Sequence, residues 1–338
     1  MAVKIMCIGD IHITEDNIET TCLLIDKLVT IAQTEQPDLI FVMGDTLDRR
    51  NFTSVPLKTA NDCLRRLKEI TPVILLIGNH DLPNTSAFLS SYHAFDATRE
   101  WSNFTVVDTQ CNIISCKGLK FAAIPYTPPG RMWEGLKSNP EFDITEVAAI
   151  FAHQEIRGGR HRGHTSQKGD IYPEDGPVLI LGHFHEYHWV QSNVVYIGTP
   201  RQVKRDESAY KTISIFEFSP DKSYTERRID TEMPPFLEFK LTTQEIAEFE
   251  PPTTGDIKII ITDTYANNHL YSNNFKIKEW RHRRIKVVFV DIEQEPVACS
   301  SSNFFHGITQ AESFCDILTR KFSENPRRAE LFQEIMHS

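Results

Sequence analysis

Five short stretches carry side chains of the kinds that hold divalent cations. They are Gly9-Asp10-Ile11-His12, Gly44-Asp45-Thr46-Leu47-Asp48, Gly78-Asn79-His80-Asp81, a lone His153, and Gly182-His183-Phe184-His185. Carboxylate, amide and imidazole together suit hard to borderline ions such as Mg2+, Mn2+, Fe2+ or Zn2+. No cysteine stands in any of the five, which argues against a thiolate zinc site. A D-x-H or H-x-H alone would signify little. Here each stretch ends an apolar run, and four of them place a glycine before the ligand types. Glycine there lets the backbone turn sharply and an ion come close. The bland account is turn residues and satisfied core histidines. The order, spacing and strand-end placement of all five weigh against it.

Such a site needs strand ends gathered at one edge. Apolar runs at 3–8, 39–43 and 73–77 alternate with two stretches of helical spacing. The first holds Ile18, Cys22, Ile25, Leu28, Val29 and Ala32, a helix over roughly 17–34; the second holds Leu57, Ala60, Leu64 and Leu67. Continuous apolar strands separated by helices form a parallel sheet covered on both faces, and sites in such sheets lie beyond the carboxyl ends of the strands. Further runs at 106–107, 121–124, 147–152, 178–181, 194–197 and 212–218 have few strong helices between them. The sheet is therefore expected to become mixed and to double into a sandwich. The expected fold class is α/β: a mixed-sheet β-sandwich flanked by helices, with a small α+β second domain and C-terminal helices. Composition shifts at Met233-Pro234-Pro235 and again at 251–255, with strand-like stretches at 257–261 and 285–290. Residues 300–303 read as a linker, and 308–322 and 326–336 as amphipathic helices, with Pro326 at a first helical position. The expected boundaries are 1–232, 233–300 and 305–338.

In order, D-x-H, GD-x-x-D, GNHD, a lone His and GH-x-H resemble the calcineurin-like metallophosphoesterase superfamily over roughly residues 3–200. The resemblance implies two divalent ions, with Mn2+ expected. Asp10, His12, Asp45 and His185 would hold one; Asp45, Asn79, His153 and His183 would hold the other, with Asp45 bridging. His80 matches the catalytic position beside the substrate phosphate, where a protonated ring could stabilise charge or protonate the leaving oxygen. Asp81 would orient a neighbour such as His12, or cap its loop. The GHFH stretch, the turn at 194–200, His153-Gln154-Glu155-Ile156 and the long insertion before GHFH are similar to the SbcD-type nuclease subunit of double-strand-break repair, nearest its phage-type recombination relatives. That likeness implies a nuclease domain at 1–232, a capping domain flanking DNA at 233–300, and docking of 305–338 on a coiled-coil SMC-like ATPase. It also implies pairing as a homodimer through helices of the first domain. Phe314, Ile317, Leu318 and Phe322, then Leu331, Phe332, Ile335 and Met336, would form the docking faces; periodicity alone would let both helices pack on their own domain. At Asp48 many relatives carry His and others, on the bacterial side, carry Asp, which leaves its role open between supporting the Asp45 loop and touching substrate.

The chain has 338 residues and 38.8 kDa, with 40% hydrophobic and 24% charged residues. These are values of an ordinary globular protein, so disorder is excluded as the main state. Lys and Arg number 36 against 46 Asp and Glu, a net charge of −10, which taken alone argues against a polyanionic partner. The cations are clustered, however. Arg49 and Arg50, then Arg157, Arg160, His161, Arg162, His164 and Lys168, then Arg201, Lys204 and Arg205 all leave the ligand-bearing edge and could meet phosphates. A fourth run, Lys276 to Lys286 with Trp280 inside it, reads either as a solvated strand and loop or as a DNA-backbone contact with Trp280 as a stacking platform. Seven scattered cysteines without a C-x-x-C pair read as reduced thiols. The run at 3–8 is too short for a signal-peptide core, and no stretch reaches the ~18 apolar residues of a membrane span. The expectation is a cytoplasmic or host-cell-interior DNA nuclease, exonuclease and endonuclease, serving recombination, repair and replication, with no membrane partner. The rivals are a metallophosphatase or nucleotide phosphodiesterase on the same site, and a non-catalytic scaffold, which the filled ligand positions disfavour.

Overall fold

The apolar runs become two six-stranded sheets packed face to face. In the first, Val3–Ile8, Leu39–Val42, Val73–Leu76 and Phe104–Val107 pair in parallel, and Thr212–Phe218 and Tyr224–Asp230 extend the Val3–Ile8 side antiparallel. In the second, Val194–Tyr196, Val178–Gly182, Val147–His153 and Leu119–Ile124 run parallel, flanked by antiparallel His188–Gln191 and Asn112–Cys116. This is the mixed-sheet sandwich that the sequence implies. The computed structural model describes residues 1–292 apart from 162, 254 and 284. The expected linker and the helices of 305–338 lie outside the described residues.

Strand alternation builds the layers, because successive side chains point to opposite faces. Val3, Ile5 and Cys7 turn into the layer between the sheets; Met6 and Ile8 turn outward. Between the sheets Phe41 stacks on Phe151, with ring centroids 3.8 Å apart. Outside the first sheet lie Ile18–Glu35, which buries Leu24, Ile25, Leu28 and Ala32, and Ser54–Lys68, which buries Ala60, Cys63, Leu64 and Leu67. The first helix stops where Gln36 turns left-handed (φ 47°) and its N–H bonds the Ala32 carbonyl. Both helices cover a sheet face and leave the strand ends clear.

Phe236–Leu241, Asp256–Asp263 and Lys286–Asp291 form a separate, wholly parallel sheet carrying the helices Tyr265–Tyr271 and Phe275–His282. It has its own core around Ile259, Ile261, Ile277 and Trp280. Here the structure corrects one expectation. Much of the basic run is helix, and Trp280 is fully buried, edge-on to Phe249 at 5.9 Å. It cannot offer a stacking platform, because Ile277 and Trp280, three residues apart, share the inward face of the helix. Some of the charges are also engaged: Lys276 pairs with Glu250, and Arg283 donates to the Pro251 and Pro252 carbonyls at 3.2 and 2.9 Å. Among the described residues no helix is long and apolar enough to cross a membrane.

Candidate metal centre

Parallel register delivers the ligand types to one place. Ile8 lies beside Val42, and Gly182 beside His153, so the motifs that follow these strands leave the sandwich at the same edge. Asp45 is the hub. Its Oδ2 lies 3.3 Å from His153 Nε2, 3.9 Å from His12 Nε2 and 4.0 Å from His80 Nε2, while its Oδ1 accepts the His80 backbone N–H at 2.7 Å. Asn79 Oδ1 is 3.1 Å from His153 Nε2 and 2.9 Å from His183 Nδ1. Asp10 Oδ2 is 4.0 Å from His12 Nε2, and the rings of His12 and His185 are 4.8 Å apart. Asp10, His12 and His185 gather as one group of donor atoms, and Asp45, His153 and His183 as another. The structure thus brings together all seven expected metal residues, with His80 at the rim, its side chain 40% exposed.

The donors fit cations. His12 Nε2 is buried without a hydrogen-bond partner among the described residues, which costs free energy unless something takes its lone pair. His153 Nδ1 lies 2.7 Å from the Met43 carbonyl. A carbonyl only accepts, so Nδ1 carries a proton; Nε2 faces two acceptor oxygens, of Asp45 and Asn79, and although burial opposes charge, Asp45 and Asp10 raise the ring to about 9, so Nε2 is the atom from which a bound cation would displace a proton. His80 Nδ1 likewise donates to the Asp48 carbonyl, which leaves Nε2 for the cleft. Burial lowers His183 to about 3, so its ring is neutral, and lowers His12 in the same direction. Burial raises the pKa of Asp10; at Asp45 the opposing pull of His153, then of His12 and His80, overcomes burial and holds the carboxyl below its usual range.

The local backbone is costly. His12 (φ 52°), Asp45 (φ 45°) and His183 (φ 88°) are all in the left-handed region, at about 1–3 kcal/mol each for a residue with a side chain. Gly44 (φ 98°) is also indispensable for space, since a Cβ there would sit 2.5 Å from His153 Nδ1. At Gly182 a Cβ would sit 2.7 Å from Asp10 Oδ1.

The open role of Asp81 resolves. Asp81 accepts the Gly78, Leu47 and Thr46 N–H groups at 3.0, 3.1 and 3.4 Å and so caps its loop. The partner of His12 is Asp48, whose Oδ1 is 3.0 Å from Nδ1, off the hydrogen-bonding angle. A second expectation is corrected at Arg201. It is no phosphate-binding cation: it is 4% exposed, and its Nη2 donates to the Ile11 and His12 carbonyls at 3.0 and 2.9 Å. Sequence reasoning missed Glu207, whose Oε1 lies 2.6 Å from His185 Nδ1. Nothing in the Arg205-Asp206-Glu207 stretch marked it, because a single acid in a loop has no period.

Above the ligands opens a cleft of about 400 Å³, to which Glu155, His161, His164 and Lys204 contribute besides the site itself. His161 and His164 sit on a two-stranded hairpin, Arg160–His161 with His164–Thr165, within the long insertion.

The sandwich and its strand-end cluster define a class of metal-dependent phosphoester hydrolases. The family model for calcineurin-like phosphoesterases matches residues 3–187, and the chain belongs to that family. It is 35% identical over 247 residues to "Putative phosphoesterase 078R" of Invertebrate iridescent virus 3, covering 72% of this chain and 70% of that protein. It is 30% identical over 260 residues to "Putative phosphoesterase 244L" of Invertebrate iridescent virus 6, covering 76% and 86%. Among solved structures, TT1561 of Thermus thermophilus matches at 13% identity and a TM-score of 0.40, over 68% of this chain and 99% of that one. The two viral names stop at phosphoester hydrolysis, so the narrower likeness to a repair nuclease passes to the proposal below.

Proposed function

We propose that this phosphoesterase is a Mn2+-dependent DNA nuclease, acting on strand ends and within strands, inside the cell and in company with a coiled-coil ATPase. The observation that carries hydrolysis is one carboxylate, Asp45, lying between two groups of candidate ligand atoms. Asp10, His12, Asp45 and His185 would hold one ion, and Asp45, Asn79, His153 and His183 the other. Bound there, two divalent ions supply Lewis acidity that polarises a phosphoryl group and acidifies water near neutral pH. The chain's own residues do the rest. His80 Nδ1 is engaged by the Asp48 carbonyl, so Nε2 is the ring atom free to meet the leaving oxygen, and a proton there can pass to it. Asp48 steadies both rings, His12 through its carboxylate and His80 through its carbonyl.

The choice of DNA over a small phosphomonoester rests on the cationic rim. Lys204, His161 and His164 line the cleft, Arg49 lies beside Asp48, and Arg50 donates to the Asn79 carbonyl at 3.4 Å. Positive side chains flanking a metal floor suit a backbone that continues on both sides of the scissile phosphate. The small parallel sheet would serve as the capping module, and 305–338 as the ATPase-docking segment; deleting 305–338 should abolish that complex, and unchanged complex formation would exclude the docking role.

The deciding assay offers linear and circular DNA, single- and double-stranded, with Mn2+ or with a chelator, beside p-nitrophenyl phosphate. Mn2+-dependent DNA cleavage is expected. Turnover of the small ester without any DNA cleavage would transfer the site to a phosphatase.

A further inference from the structure

The two halves of the centre are held from behind by different parts of the chain. On one side, fully buried His153 is fixed by the carbonyl of Met43, at the end of a core strand. On the other side, the segment 199–211, which follows the turn at Gly198, reaches both His185 and His12. Glu207 Oε1 is 2.6 Å from His185 Nδ1, and its other oxygen accepts the Val203 N–H at 2.9 Å and lies 3.1 Å from Lys211 Nζ. Lys211 Nζ and the Thr199 N–H both donate to the His185 carbonyl, at 2.9 and 3.1 Å. The side chains of Glu207 and Lys211 are 5% and 4% exposed.

We propose that Glu207 is the positioning residue of His185, and that the metal ion held by Asp10, His12 and His185 depends on it while the ion at Asn79, His153 and His183 does not. The inference rests on the two-metal reading above. A carboxylate acceptor on Nδ1 keeps the proton there, turns the Nε2 lone pair toward Asp10 and His12, and makes the ring a better donor. Glu207 makes no contact with Asn79, His153 or His183 in the described residues, so the selectivity follows from geometry.

The test is a Mn2+ titration by calorimetry of the full chain stripped of metal, with metal content measured after dialysis. The wild-type chain should bind two ions. Glu207→Ala and the near-isosteric Glu207→Gln should each keep one ion at wild-type affinity and bind the other about 10–100-fold more weakly, the usual effect of losing such an outer partner. Circular dichroism identifies any variant that fails to fold, and Glu207→Gln is the variant that decides if Glu207→Ala does. Two ions at unchanged affinity in a folded Glu207→Gln chain would overturn the proposal, as would equal weakening of both. A wild-type chain that binds no Mn2+ would instead sink the two-metal reading itself.

Discussion

Gly44→Ala puts a single methyl group where the fold and the metal centre meet. The new Cβ would lie 2.5 Å from His153 Nδ1 and 2.9 Å from its Cγ, and the backbone there has φ 98°. A side chain at such a φ costs about 1–3 kcal/mol. Forcing atoms into a filled site costs a further ~1–3 kcal/mol. If His153 swings away, the Met43 carbonyl loses its partner, at about 1–3 kcal/mol for a buried group. One movement of His153 relieves part of all three, so they do not add fully; the expected net loss is about 3–6 kcal/mol, a large share of the ~5–15 kcal/mol that folded proteins possess. Urea unfolding of the metal-free chain measures it. Metal titration should show in parallel that the ion at Asn79, His153 and His183 is lost first, since His153 Nε2 moves off Asp45 and Asn79. A variant that unfolds within ~0.5 kcal/mol of wild type, the range of inert surface changes, and still binds two ions would show that the packing argument is wrong.

His80→Ala should slow phosphodiester hydrolysis by about 10²–10⁴-fold, the range for a general acid, with metal content unchanged; a wild-type rate on bis(p-nitrophenyl) phosphate would remove His80 from the chemistry. Acid should loosen the metal-free fold in a defined window. The His12 contact holds Asp48 at about 2, against an ordinary 3.8. Burial works against ionisation of Glu207, but His185 and Lys211 hold it at about 2, against an ordinary 4.5. The unfolded chain therefore binds more protons in this range, so these groups stabilise in full above about pH 4.5 and cease to as pH falls through about 2. Urea midpoints from pH 5 to 2 should drop, and Asp48→Asn with Glu207→Gln should flatten the slope; an unchanged slope would assign the acid loss elsewhere.

The metal centre was legible because five of the parallel strands announce themselves as apolar runs and stop at their own ligands. Asp10, Asp45, Asn79 and His183 each follow a glycine that ends such a run, so order along the chain translated directly into proximity in space. The support around those ligands was not legible. Glu207, Arg201 and Asp48 act through loop geometry, which leaves no period in the sequence, and charge alone made Arg201 look like a surface cation. Trp280 misled for a related reason: its neighbours in sequence are basic, yet on a helix those neighbours point elsewhere, and the ring turns inward beside Ile277. Linear clustering of charge is a statement about sequence; a helix of 3.6 residues per turn disperses it.

The register between Val147–His153 and Val178–Gly182 has a consequence for how such a molecule can change. Neighbouring strands stand ~4.7–4.9 Å apart whatever their sequence, and Gly182 is locked opposite His153. The spacing of the ligands on this side is therefore a property of the sheet, a ruler ticked in hydrogen bonds. Loops that leave the same edge carry no part of that measurement. The insertion bearing His161 and His164 can lengthen, shorten or exchange its charges and leave the spacing of His153 and His183 as it was. The side chains that line the mouth of the cleft and the spacing of these two ligands are thus written in separable parts of the chain, and selection can revise the first without re-tuning the second.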